Sequence, residues 1–325
     1  MTLAMRAAPP LSPTSGPPTS GPPTSGPSVT DDLIASGAHI FPTLLDPQAA
    51  AALLAKIKAV RAFDHGLFQS EAQFDADPQY KGVNPRPGRN LLERFDADLA
   101  FVERAPQITG ALSEVLGEGY RIMDRKVVCG VPARAVPAWL KARIEGAPVN
   151  NLGAYVKPEY RDVTYFYGID FHQDIIDYKD RDADFLTLYI YLHPVTAADA
   201  PLFLLECSHA LGATTFPHAL ERTAPAAWRY EDRAGGAAPV TQRVLTGPAG
   251  YAAMWHPFTL HGTQPDAADH ERISLRYLIA RQPGAKAGID AVNAAIKGPL
   301  RLETTRMDLA ADGSAAIKGN VVRGA

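Results

Sequence analysis

Apolar positions Ala50, Leu53, Leu54, Ile57 and Val60 recur at helical spacing, while Lys56, Lys58 and Arg61 fall mostly off that stripe. Asp46-Pro47 ahead of them supplies an N-cap and a first helical residue. The spacing predicts an amphipathic helix packed on a core. Its polar face is short and lightly charged, which argues against a membrane-surface helix. Residues 106–116 read as a second helix, ended by Gly117 and Gly119, and residues 36–42 as a short strand after a turn. From Tyr120 the period changes. Segments 121–129, 164–174, 185–192, 201–205, 251–255 and 272–279 are short, rich in aromatic and β-branched residues, and separated by Gly, Pro and Asp. No helical stretch alternates regularly with them, which disfavours a parallel βαβ sheet. Many short strands within about 160 residues predict a sandwich, barrel or jelly roll. A short helix is expected at 289–296, followed by a polar tail to which no function is assigned.

Composition changes this picture little. The 325 residues are 46% hydrophobic and 21% charged, with a net charge of −3. That is ordinary for a globular protein with a substantial core and offers no field for nucleic acid or an anionic membrane. Cys129 and Cys207 are the only cysteines, which points to a reduced, intracellular, cytoplasmic setting. No apolar run is long enough to span a bilayer, and Arg6 is not followed by the apolar region of a secretory signal. Residues 9–28 repeat Thr-Ser-Gly-Pro and are expected to be a disordered tail, whose Pro-rich character would suit an aromatic-grooved protein as a weak partner. Residues 81–90 hold turn formers and basic residues and read as a connector.

Candidate chemistry centres on Phe171-His172-Gln173-Asp174. In a strand, residues two apart share a face, so His172 and Asp174 would leave one strand side by side. With His261 as the third ligand, two histidines and a carboxylate would occupy one side of a metal and leave the other open. That arrangement suits a non-haem Fe(II) oxygenase. A bare His-x-Asp/Glu arises roughly once by chance in such a composition, so its surroundings decide.

Three segments supply those surroundings: 171–174, 200–212 (APLFLLECSHALG), and 250–263 (GYAAMWHPFTLHGT) followed by 271–276 (ERISLR). In this order they resemble the phytanoyl-CoA dioxygenase family of Fe(II)/2-oxoglutarate oxygenases, and residues 36–47 resemble its opening strand and helix. The resemblance runs, with gaps, from about residue 33 to 281. It implies a mainly β, α+β fold with a double-stranded β-helix (jelly-roll, cupin-like) core. It places the metal triad on His172, Asp174 and His261, and the arginine for the 2-oxoglutarate C5 carboxylate on Arg272, with Arg276 as rival. Thr187, Ser274 and Thr263 are its further cosubstrate contacts. Cys207 and Glu206 replace the family's usual Gly and Pro in a turn. The implied activity is hydroxylation of a small molecule, using Fe(II), 2-oxoglutarate and O2, with ascorbate as stimulant and succinate as co-product. An intact Asp174 argues against halogenation, for which that position carries a small residue.

Aromatic Tyr165, Tyr167, Phe171 and Tyr178 flank the motif and suggest an apolar substrate, although they equally suit a core. Charged residues 177–182 read as a solvated turn in preference to a lid, which would favour a polar or cationic substrate, and His209 reads as a structural histidine. The expected organisation is a tail (1–28), a helical part (29–119), a catalytic core (120–283) and a C-terminal extension (284–325). Two other readings compete: a cupin-like metalloenzyme that does not use 2-oxoglutarate, for which Arg272 has no role, and a non-catalytic binding protein on the same fold.

Overall fold

A computed structural model of the chain describes residues 28–76, 82, 84–216, 218–231, 235–265 and 270–302. The Pro-rich repeat and most of the C-terminal extension lie outside these residues. The strands are β1 (Ala38–Ile40), β2 (Arg121–Gly130), β3 (Val149–Asn151), β4 (Thr164–His172), β5 (Phe185–Tyr191) and β6 (Leu202–Glu206). They continue with β7 (Ala219–Ala224), β8 (Ala227–Glu231), β9 (Ala237–Leu245), β10 (Ala252–Trp255), β11 (His261–Thr263) and β12 (Arg272–Ala280). They pair in the order β1-β10-β5-β12-β2-β4-β11-β6-β9-β8-β7, with β3 on β4.

The junction in that order is β2 against β4, a short parallel pairing of Val128–Gly130 with Thr164–Phe166; the other pairings are antiparallel. On one side lie β1, β10, β5, β12 and β2, and on the other β4, β11, β6, β9, β8 and β7. From β4 to β12 the chain crosses repeatedly between these halves. That winding is a double-stranded β-helix, a jelly-roll core with flanking helices.

Alternation along the strands separates two layers. Leu186, Leu188 and Ile190 of β5, Ile273, Leu275, Tyr277 and Ile279 of β12, and Val127 and Cys129 of β2 face outward, into one core with the helices. The helix Pro47–Val60 gives Ala50, Leu53 and Ile57 to that core, and the helix Pro106–Leu116 gives Ile108, Leu112, Val115 and Leu116. Burying each Leu or Ile is worth about 1.5–3 kcal/mol, which holds the helices on the sheet. Asp46 caps the first helix as expected, accepting from the backbone N–H of Gln48 at 2.8 Å and of Ala49 at 3.1 Å. The opposite residues of β5 and β2, Tyr189, Tyr191 and Val128, with Ala253 and Trp255 of β10, face inward against Leu202 and Leu204 of the other half. β5 is therefore buried on both faces. No helix among the described residues is long and apolar enough to cross a membrane. Both cysteines are free thiols.

Candidate metal and cosubstrate site

His261 opens β11 and lies directly opposite His172 at the end of β4. Their rings are 4.2 Å apart between centroids. Asp174 lies just past the strand, at the start of a 3-10 turn, rather than inside it. Gln173 between them stays extended, at φ −106° and ψ 143°, so His172 and Asp174 still point the same way. The side chain of Gln173 fixes that geometry from the other face. Its amide donates to Gly212 O at 2.9 Å and Phe258 O at 2.8 Å, and accepts from the Thr214 N–H at 2.8 Å. Sequence reasoning passed over this residue, whose signal was a polar side chain on the face opposite the ligands.

One nitrogen each from His172 and His261 and one oxygen from Asp174 lie within 4.8 Å of one another, the one such cluster among the described residues. His261 Nε2 is 3.6 Å from Asp174 Oδ2. Both imidazoles set their Nδ1 against a backbone carbonyl, His172 on Asp170 O at 3.1 Å and His261 on Thr259 O at 3.0 Å. Donation from Nδ1 leaves Nε2 as the lone pair facing the cluster, the usual outer support of a metal-bound histidine. Burial pushes both imidazoles below their ordinary pKa and favours the neutral, ligating form. Burial alone would raise Asp174. The Arg276, His261 and His172 groups beside it, and the Thr187 hydroxyl, instead hold it well below the usual carboxylate range. An ionised carboxylate between two neutral imidazoles is a donor set that fits a divalent iron.

Thr187 donates to Asp174 Oδ2 at 2.5 Å, and the Trp255 indole N–H reaches the same oxygen at 3.2 Å. Arg276 pairs with Oδ1. Thr187, expected to contact the cosubstrate, here places its hydroxyl on the candidate metal-ligating carboxylate. Its hydroxyl is engaged by the carboxylate, because Thr187 sits directly opposite Trp255 in the β5–β10 register, below that carboxylate.

Arg272, the first residue of β12, is 2% exposed and lines the same cleft. Its Nη1 donates to the Tyr189 hydroxyl at 2.8 Å and to Ser274 Oγ at 3.3 Å, and its Nε has no partner among the described residues. No carboxylate among the described residues neutralises it. Ser274 is therefore a neighbour of the guanidinium. Thr263 lines the cleft while its hydroxyl donates to Ala200 O at 2.8 Å.

The cleft wall differs from expectation on β4. Tyr165 and Tyr167 pack in the helix-covered core and Phe171 behind the second half-sheet, so none of the three faces the cleft. Phe166, Ile169 and His172 line it instead. Register shifts in the pairings of β4 with β11 and β3 fall between these residues, and Gly168 takes φ +85° there. Bulges convert the two-residue alternation into a three-residue spacing. Two loops expected to be peripheral also reach the cleft, through Asn84 and Asp177. Beyond Asp177 the charged turn is tied down by Arg181–Asp184 and Arg301–Asp182 pairs. His209 is buried in its turn, as a structural histidine should be.

No family model matches the chain. A probable alpha-ketoglutarate-dependent hypophosphite dioxygenase from Stutzerimonas stutzeri is 28% identical over 201 residues, 59% of this chain and 55% of the relative. The chain thus spans about half the length of the curated relative it matches. Among solved structures, the non-heme monooxygenase ThoJ overlaps at a TM-score of 0.45 with 15% identity, covering 79% of this chain and 80% of that one. The epimerase SnoN, solved with Fe3+, alpha-ketoglutarate and nogalamycin RO, overlaps at 0.46 with 14% identity over 80% and 90% of the chains. These overlaps are too loose to transfer residue roles, and the strand order of the chain itself assigns the fold.

Proposed function

We infer that this protein is an Fe(II)/2-oxoglutarate-dependent oxygenase of the phytanoyl-CoA dioxygenase-like kind, hydroxylating a small molecule, with a cytoplasmic location. The observation that carries this reading is Arg272, a buried guanidinium without a carboxylate partner in the cleft that holds the His172, Asp174 and His261 cluster. An unpaired buried charge is costly, and a planar guanidinium matches a carboxylate through two parallel hydrogen bonds. The C5 carboxylate of 2-oxoglutarate meets that demand. A metalloenzyme that makes no use of 2-oxoglutarate leaves Arg272 without a purpose.

Bound Fe(II) with 2-oxoglutarate would supply the oxidising chemistry: one atom of O2 goes to succinate as the cosubstrate loses CO2, and the other to the substrate. The chain positions these reactants. His172, Asp174 and His261 hold the metal on one side and leave the opposite side open. Arg276, Thr187 and Trp255 keep the Asp174 carboxylate ionised and oriented. Tyr189 and Ser274 hold the Arg272 guanidinium in the cleft wall, and Thr263 flanks the cosubstrate. The relative's named substrate, hypophosphite, is the first compound to try here. With Fe(II), ascorbate and O2, the protein should convert 2-oxoglutarate to succinate, and Asp174→Ala should lower that rate by more than about 100-fold, since removing a ligand costs more than removing its outer support. Equal succinate from the variant overturns the reading.

A further inference from the structure

The cleft carries more positive charge than the oxygenase reading uses. Among the described residues its lining has three cations, Lys126, Arg272 and Arg276, against the carboxylates Asp174 and Asp177. Fe(II) and 2-oxoglutarate dianion cancel each other, so the described lining of the loaded cleft keeps a net charge of one positive. Arg272 is assigned to the cosubstrate and Arg276 is paired with Asp174. The remaining cation is Lys126.

Lys126 is on the inward face of β2 and is 3% exposed. Lysines are almost never buried to that degree without an acidic partner. Its Nζ meets the neutral Asn84 Oδ1 at 2.5 Å, and the nearest ion pair is a long 3.9 Å contact with Asp124. The β2–β12 register also sets Lys126 directly opposite Arg276. Like charges in that position repel, and burial amplifies the repulsion. Burial, with Arg276 adding to it, pushes the lysine down to about 7, the behaviour of an ammonium short of negative charge. Arg272 stands four residues away along β12, about 13 Å at strand rise. The cosubstrate arginine and the Lys126–Arg276 pair therefore mark two separate places, with the Asp174 cluster adjoining the second. Asp177 beside that second place is exposed, so it is the open end of the cleft.

We propose that Lys126, flanked by Arg276 and Asn84, binds an oxyanion of the primary substrate, so that the enzyme selects small substrates bearing a single negative charge next to the metal. The inference rests on the oxygenase reading for the place of the cosubstrate. Its own basis is a buried lysine opposite an arginine in a wall with too few carboxylates.

The test uses protein loaded with redox-inert Mn(II) and saturating 2-oxoglutarate, at pH 6.5 and constant ionic strength. Methanesulfonate is the probe, and uncharged dimethyl sulfone its match. Thermal midpoints read against probe concentration give apparent affinities, because a ligand of the native state raises the midpoint. Wild type should bind methanesulfonate in preference to the sulfone. Lys126→Met should weaken methanesulfonate about tenfold or more, and Lys126→Arg should restore most of it. Met fills the space without a charge, and the Arg variant separates lost charge from lost fold. Equal methanesulfonate affinity in wild type and Lys126→Met, or no preference for the anion in wild type, overturns the subsite. A 2-oxoglutarate titration of the same samples tests the oxygenase reading separately. If cosubstrate binds and the anion preference is absent, only the subsite fails.

Discussion

Both oxygens of Asp174 are engaged by donors from the protein, Thr187 and Trp255 on Oδ2 and Arg276 on Oδ1. Such support orients a ligand before the metal arrives, and losing one part of it costs about 10–100-fold in metal affinity. Trp255→Phe keeps the ring packing and removes the indole donor, so it should weaken Mn(II) binding by about tenfold, measured by titration, with the fold intact. The two arginines of β12 should separate cleanly. Arg272→Lys replaces a fork with a point charge and should raise the 2-oxoglutarate dissociation constant by about 10–100-fold. Arg276→Lys acts through Asp174 and should affect the metal more than the cosubstrate. The opposite result assigns the cosubstrate to Arg276. The clustering of the candidate ligands with Arg272 in one cleft was legible because each is a chemically unusual residue in a recognisable order. The donors to Asp174 were not, because a Thr and a Trp on buried strands look the same whether they pack or donate.

The elements explain where reading by period succeeds and where it fails. The helices Pro47–Val60 and Pro106–Leu116 were legible, since one face of each is apolar, Asp46-Pro47 marks the start of the first and Gly117 the end of the second. β2, β5, β6, β10 and β12 were legible as apolar, β-branched runs. β7 to β9 were not, since their inward residues (Leu220, Trp228, Tyr230, Ala238 and Val240) alternate with charged, small and polar ones and make no apolar run. In β4 the bulges broke the alternation and brought Ile169 into the cleft, whereas Tyr165, Tyr167 and Phe171 lie an odd number of residues from His172 and face away from it. Gly37 shows a second local constraint. It ends the helix Val29–Ser36 at φ +80°, and a Cβ there would meet His209 Nδ1 at 2.5 Å. Gly37→Ala should therefore lower the unfolding free energy by about 1–3 kcal/mol in denaturant titration. Burial also pushes His209 down to about 4 and His256, next to it, to about 3. Their unfolded forms take up protons near pH 6.5 while the folded forms do not. Stability contributed by their neutral folded state is thus complete above pH 6.5 and declines as pH falls toward 4. For His209 the loss amounts to about 3 kcal/mol over that window. Unfolding measured between pH 7 and 4.5 should show His209→Gln less acid-sensitive than wild type, by about one proton in slope.

Across the whole molecule, the winding of one half-sheet onto the other makes the site. β4 with the turn after it and β11 bring in the candidate ligands, β12 the guanidinium, β5 and β10 their supports, and β2 the lysine, and these strands are adjacent in the sheet order. That convergence was legible only through resemblance, since spacing alone does not say which strands meet. Ligands that bind only the native state should stabilise it, by about 2.7 kcal/mol at a hundredfold excess over the dissociation constant. Mn(II) with 2-oxoglutarate should accordingly raise the thermal midpoint of wild type and leave that of Asp174→Ala unchanged. The central claim is that His172, Asp174 and His261 share one ion while Arg272 holds the cosubstrate. A crystal structure of the protein grown with Mn(II) and 2-oxoglutarate tests it most directly. The account predicts one Mn(II) on those three side chains, with a 2-oxoglutarate carboxylate paired to both terminal nitrogens of Arg272. A metal bound elsewhere, or a cosubstrate carboxylate lying on Arg276 with Arg272 still against Tyr189, would contradict it.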